Sequence, residues 1–204
     1  MQLLFGTHNP AKLLFMRQSL SVLSIELLGL SDISASIPLV DETGENPLQN
    51  ARLKAIAYRD AAGMDTLAAD SGLYIEGIDD AVQPAEHVRR VSGQELNDEE
   101  MIAYYASFVA ARGGFVVARY RNALCIATAD GQLYECFDDS IASAPFHLVD
   151  TPNARRTEGF PLDSLSIDIH TGQYFCDTTF NRTEHELLHN GYAQFIRKVY
   201  RDAV

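Results

Sequence analysis

The chain has 204 residues, a formal net charge of -12 and 47% hydrophobic residues, enough for one large domain or two closely packed lobes around a sizeable core. Its 28 acidic residues against 16 basic ones argue against broad binding to a nucleic-acid backbone, which needs a basic face, but not against one small phosphorylated ligand held by local cations and a bridging metal. Cys125, Cys136 and Cys176 are widely spaced and suggest neither a disulfide framework nor a zinc site; with no bilayer-length apolar run and no signal-peptide pattern in MQLLFGTHNPAK, a cytoplasmic protein without membrane partners is expected.

Gln2 to Phe5 reads as a short apolar strand, and Gly6-Thr7-His8-Asn9-Pro10 turns out of it into a helix with Leu13, Leu14, Met16, Arg17 and Leu20. Thr7, Asn9 and Lys12 at that junction form either a phosphate cradle or a helix cap beside a solvated lysine. Ile25 to Leu30 is a second strand, and a connection through Asp41-Glu42-Thr43-Gly44 leads to a helix starting at Pro47. Asn50 and Lys54 lie one turn apart on it and share a face. Glu42, just ahead of it, suits the positive end of the helix dipole.

Leu67-Ala68-Ala69-Asp70-Ser71-Gly72-Leu73 reads as a buried strand that stops at Asp70-Ser71-Gly72, delivering a carboxylate and a hydroxyl to a sheet edge, where α/β proteins place ligands; the same residues also make ordinary turns. Leu73 to Ile78 continues as a short strand, and residues 79–84 form a loop. Arg89-Arg90 is either a phosphate or carboxylate contact or plain surface charge. Asn97 to Ala111 is helical, with Met101, Ile102, Tyr105, Phe108 and Val109 on one face. Phe115 to Arg119, Ala123 to Ala129 and Gln132 to Phe137 are strands, the last two joined through Asp130-Gly131. Ser143 to Glu158 lacks periodicity and reads as a long functional or mobile loop. Leu165 to Ile169 is a strand, and Thr183 to Asp202 a helix. His185-Glu186-Leu187-Leu188-His189 matches the zinc-peptidase pattern literally, but so short a motif often matches by chance.

Taken together, Thr7-x-Asn9-x-x-Lys12, Glu42-Thr43-Gly44, Asn50-Ala51-x-x-Lys54-Ala55 and Asp70-Ser71-Gly72-Leu73 resemble the inosine triphosphate pyrophosphatase family in order and spacing. The likeness continues at Arg90-Val91-Ser92-Gly93, at Gly159-Phe160 with Asp163, and at His189 with Gly191. It implies an elongated two-lobed α/β fold around a long mixed β-sheet with flanking helices, a single domain over residues 1–204 with the active-site cleft between its lobes, and a homodimer. The implied reaction is Mg2+-dependent hydrolysis of a nucleoside triphosphate between its α- and β-phosphates, giving a monophosphate and pyrophosphate. Carried over by position, Asp70 and Lys54 are catalytic and Glu42 and Asp70 hold magnesium. Thr7, Asn9, Lys12, Asn50, Ser71, Arg90, Phe160, Asp163 and His189 contact substrate.

Departures accompany the likeness. Ala69 stands where the family has a first aspartate, and Gln49 where it tends to have glutamate. Pro161-Leu162 interrupts the motif after Phe160, Asn190 replaces an arginine, and Glu184 stands at the spacing of a lysine. Exchanging donors for a carboxylate acceptor predicts an altered base preference, toward a base carrying an amino group. The alternative to an active hydrolase is a nucleotide-binding relative that has lost turnover.

Overall fold

The computed structural model describes residues 1–91, 93–177 and 182–201, with segment 182–189 described through its backbone alone. Nine strands and four α-helices are present among these residues: β1 (Gln2–Phe5), α1 (Pro10–Ser19), β2 (Glu26–Gly29), α2 (Pro47–Ala62), β3 (Thr66–Ile75), β4 (Arg90–Val91), β5 (Gln94–Glu95), α3 (Asp98–Ala110), β6 (Phe115–Ala127), β7 (Leu133–Cys136), β8 (Phe146–Val149), β9 (Ser166–Asp168) and α4 (Arg182–Val199). A mixed sheet runs in the order β2-β1-β3-β6-β8-β9, with β7 also paired to β6, and β4 and β5 form a separate hairpin. The expected mixed α/β sheet with flanking helices is therefore present.

The chain divides into two compact units, Met1–Ser71 with Arg121–Ala142 and Glu186–Val204, and Gly72–Tyr120 with Ser143–His185. In the first, β1 pairs in parallel with both β2 and β3, and β7 returns antiparallel on β6. Alternation along the strands sorts its core into two faces. Leu3, Phe5, Leu67, Leu124 and Ile126 pack with Met16 of α1, with Leu20 just past its end, and with Tyr192 and Ile196 of α4. Ala68, Ala123, Cys125 and Ala127 turn the other way, toward Ala51 and Ala55 of α2. In the second unit, β8 pairs antiparallel with both β6 and β9, and Phe146, Leu148 and Ala118 pack with Met101, Ile102, Tyr105 and Val109 of α3.

The helix ends follow local chemistry. Pro10 and Pro47 stand at the first turns of α1 and α2 behind the caps Asn9 and Asn46, and α2 stops at Gly63, whose φ of 67° suits glycine. Asn97 and Glu100 cap the start of α3 reciprocally.

The sheet corrects three sequence expectations. β3 does not stop at Asp70 but runs unbroken through Asp70-Ser71-Gly72 to Ile75, and β6 joins two expected strands across Arg119-Tyr120-Arg121-Asn122. Polar residues end a strand only when nothing satisfies them, and here partners exist: Asn122 Nδ2 donates to the Ile141 carbonyl at 2.8 Å, and Tyr120 stacks on Phe146 with centroids 5.4 Å apart. The stretch 143–158 contains β8, whose four residues lie between Pro145 and Pro152 among loop residues that mask it. The hairpin through Asp130-Gly131 is present, with Gly131 at φ 94°.

Gly191 of α4 lies against the backbone of Ser140, where an added Cβ would strike the Ser140 carbonyl oxygen. Glycine-to-alanine replacement inside an exposed helix stabilises by about 1 kcal/mol. The opposite sign is expected for Gly191→Ala, a net loss of about 2 kcal/mol from overpacking, measured by urea denaturation; unchanged stability would refute this close seating.

Candidate active site

The site begins with the small residues beneath α2. Ala51, Ala55, Ala68, Ala123, Cys125 and Ala127 have almost no side-chain bulk, so helix and sheet pack closely. On the helix face beside Ala51 and Ala55, Asn50 and Lys54 reach the middle of β3, where Asp70 points toward them. Lys54 Nζ donates to Asp70 Oδ1 at 3.0 Å, and Asn50 Nδ2 donates to Asp70 Oδ2 at 3.2 Å. The two side chains, one helical turn apart, thus hold one oxygen each of a single carboxylate. The pair is nearly out of solvent, with side-chain exposures of 9% for Lys54 and 8% for Asp70.

Lys54 Nζ also donates to Glu42 Oε1 at 3.2 Å. Glu42 comes from the irregular segment ahead of α2 rather than from a sheet edge, and its side chain remains 39% exposed. Two carboxylates and one ammonium leave the trio with one net negative charge. The segment is fixed by backbone donors: Gly44 N–H to Asn50 Oδ1 at 2.8 Å and Glu45 N–H to Gln49 Oε1 at 2.9 Å. Gln49 thus holds the loop at the position where the family tends to have an acid. Ala69 lies on the opposite sheet face from Asp70, packed against the apolar cluster of α1 and α4.

Ser71 Oγ donates to Asn122 Oδ1 at 2.7 Å. Asn122 carries no functional signal in the sequence, where it falls in the polar stretch Arg119-Tyr120-Arg121-Asn122 between two expected strands. At the start of α1, Asn9 Oδ1 accepts the backbone N–H groups of Ala11 and Lys12 at 2.9 and 3.3 Å, and Thr7 Oγ1 accepts that of Asn9 at 3.2 Å. Asn9 thus caps α1, and Lys12 is half-buried beside it.

The second unit holds the remaining described candidates. Arg90 is exposed in the β4–β5 hairpin opposite Glu95. Phe160 precedes a short 3-10 turn that carries Asp163, whose N–H donates to the Phe160 carbonyl at 3.1 Å. Burial pushes the Asp163 carboxyl up to about 6, against an opposing hydrogen bond from Thr157. The side chains of Glu184, His185 and His189 lie outside the described residues, while Asn190 is exposed.

The donors at Glu42 and Asp70 are oxygens only. Mg2+ typically takes one or two carboxylates together with substrate phosphates and water, so this donor set fits it. The residual negative charge points the same way, because a polyphosphate would add more. No group of three or more His, Cys, Asp or Glu side chains able to hold a metal occurs among the described residues.

The profile of the Ham1 family matches residues 3–167. A protein of Rhodopseudomonas palustris named dITP/XTP pyrophosphatase is 34% identical over 168 residues, covering 80% of this chain and 75% of that one. A Bradyrhizobium protein of the same name is 33% identical over 138 residues, covering 66% of this chain and 63% of that one, so the match spans less than two thirds of the latter relative. Among solved structures, a HAM1 protein from Coxiella burnetii superposes with a TM-score of 0.74 at 19% identity over 100% of both chains. The Staphylococcus aureus Ham1 protein does so at 0.70 and 16% identity, covering 99% of this chain and 98% of that one. At these identities the two structures support the fold.

Lys54→Met leaves the Asp70 carboxylate buried without its cation, so a loss of about 3 kcal/mol is expected in urea denaturation; a loss below 1 kcal/mol would show that the pair is not desolvated. Asp163 carries the opposite pH signature to a salt-bridged acid. Because its carboxyl is raised from 3.8 to about 6, its contribution to stability is full below pH 4 and is lost as pH rises through 6. The stability of the wild type relative to Asp163→Asn should therefore fall between pH 4 and 7, measured by thermal melts at each pH; a flat difference would refute it.

Proposed function

The chain belongs to the Ham1 family, and from that premise we propose that it is a Mg2+-dependent nucleoside triphosphate pyrophosphohydrolase. It cleaves between the α- and β-phosphates to give a nucleoside or deoxynucleoside monophosphate and pyrophosphate. The observation that carries the reading is the buried Asp70 carboxylate, held by Lys54 and Asn50 with Glu42 on the same lysine. The relatives named dITP/XTP pyrophosphatases support an abnormal purine triphosphate as substrate and a house-cleaning role.

In this reading Asp70 accepts a proton from the attacking water as its oxygen bonds to phosphorus, and the bond from that phosphorus to the bridging oxygen breaks to release pyrophosphate. Lys54 offsets charge on the phosphates while keeping Asp70 oriented. The Lys12 ammonium receives phosphate oxygens, with Thr7 and Asn9 shaping the turn that presents it and the positive end of α1 adding to the attraction. Glu42 and Asp70 hold Mg2+, which supplies neutralisation of the triphosphate when bound. Ser71, Arg90, Phe160, Asp163 and His189 complete the substrate contacts. The protein works as a cytoplasmic homodimer, as the family likeness implies.

Base preference is shifted from the family pattern. Glu184 and Asn190 stand where cationic donors are expected, so a purine 6-keto group loses partners and an amino group gains an acceptor. Ala69 favours a second reading, a nucleotide binder without turnover, because one family acid is missing.

Pyrophosphate release is expected with Mg2+ and abolished, by at least roughly a hundredfold, in Asp70→Asn, as for loss of a general base. Binding without release in the wild type would establish the second reading, and an Asp70→Asn protein as active as its parent would remove Asp70 from the mechanism. A panel of ITP, XTP, dUTP and the four common dNTPs tests the base preference: a clear ITP preference left unchanged by Glu184→Lys rules out the shift.

A further inference from the structure

We propose that Asn50 is a positioning residue that couples the Glu42 segment to Asp70 and makes no contact with substrate. The proposal rests on the hydrolase reading above and assigns a role within the same site. The orientation of the Asn50 carboxamide is set by the chemistry of its neighbours. The Gly44 N–H has only a proton to offer, and the ionised Asp70 has only lone pairs. Oδ1 must therefore face Gly44 and Nδ2 must face Asp70, the arrangement observed at 2.8 and 3.2 Å. A reversed amide would set oxygen against carboxylate and N–H against N–H. Asn50 is 2% exposed, with both polar atoms turned to protein groups, so little of it remains for a ligand to reach.

Gly44 is the second partner of the Asn50 carboxamide. A Cβ at Gly44 would lie 2.7 Å from Asn50 Oδ1 and 2.7 Å from Gln49 Cβ, so only glycine lets this backbone settle onto the amide. Glu42 stands two residues earlier in the same segment. One carboxamide thus ties the backbone carrying Glu42 to the carboxylate of Asp70, while Lys54, a turn later, ties the two acids by charge. Asn50 gives Asp70 a second donor without a second positive charge, which preserves the residual negative charge available to a cation.

The test uses the full-length protein with Mg2+ and dITP, reading kcat and KM separately, hydrogen exchange at the Gly44 amide, and the melting temperature. Asn50→Asp keeps an acceptor for Gly44 but sets a carboxylate against Asp70. It should lower kcat at least about tenfold, leave KM within about threefold, and keep the Gly44 amide protected. Asn50→Ser, shorter and neutral, should lower kcat and also lose that protection; it carries the test where Asn50→Asp does not fold. A raised KM with kcat unchanged would make Asn50 a substrate contact and overturn the proposal. A lower melting temperature with both kinetic constants retained would make it merely structural and overturn it as well. A wild type without pyrophosphate release would remove the hydrolase reading and this role with it, whereas an active wild type with Asn50→Asp at full kcat would remove this role alone.

Discussion

The Asp70 carboxylate in the middle of β3 is the constraint on which the site depends. A charge taken almost entirely out of water is destabilising unless paired and hydrogen-bonded, and Lys54 and Asn50 meet that requirement with one donor to each oxygen. Both donors come from one face of α2, so the helix must sit at one rotation and one height on the sheet. The alanines beneath it permit that height, since larger side chains at Ala51 or Ala68 would lift Asn50 and Lys54 out of reach.

From this contact the rest of the first unit follows. The rotation of α2 places Asn50 Oδ1 where only the Gly44 backbone fits, and that in turn holds the segment carrying Glu42. Asn46 and Pro47 start the helix at the right residue, and Gln49 takes up the Glu45 N–H. Polar groups inside the sheet are settled by the same economy of partners: Ser71 is satisfied by Asn122, and Asn122 by the Ile141 carbonyl. Strands that look interrupted by polar residues therefore run through them.

The motifs alone led to the right family, because Thr7, Asn9, Lys12, Glu42, Asn50, Lys54 and Asp70 are local signals with tight spacing. Helix starts were legible for the same reason, since capping residues act on the next turn. The strands β4, β5 and β8 were not: β4 and β5 have two residues each and are mostly polar, and β8 lies between Pro145 and Pro152 in a stretch dominated by loop residues. Asn9 shows how local the legible part was: a carboxamide just before a helix is a capping signal, and its oxygen does cap α1.

Residue order alone was enough to place the helix starts and to supply the acids, amides and lysines of the site, because capping and periodicity act over a few residues; the family and its fold class came from the resemblance of the motifs. That Asp70 lies within a continuous strand and that Glu42 reaches Lys54 from a loop was settled by packing. Packing likewise decided that Asn50 is buried between Gly44 and Asp70 and that Ala69 faces the opposite core. Those outcomes depend on donors and acceptors brought together from distant parts of the chain. Whether a polar residue ends a strand or stays inside it is set by the partner that packing supplies.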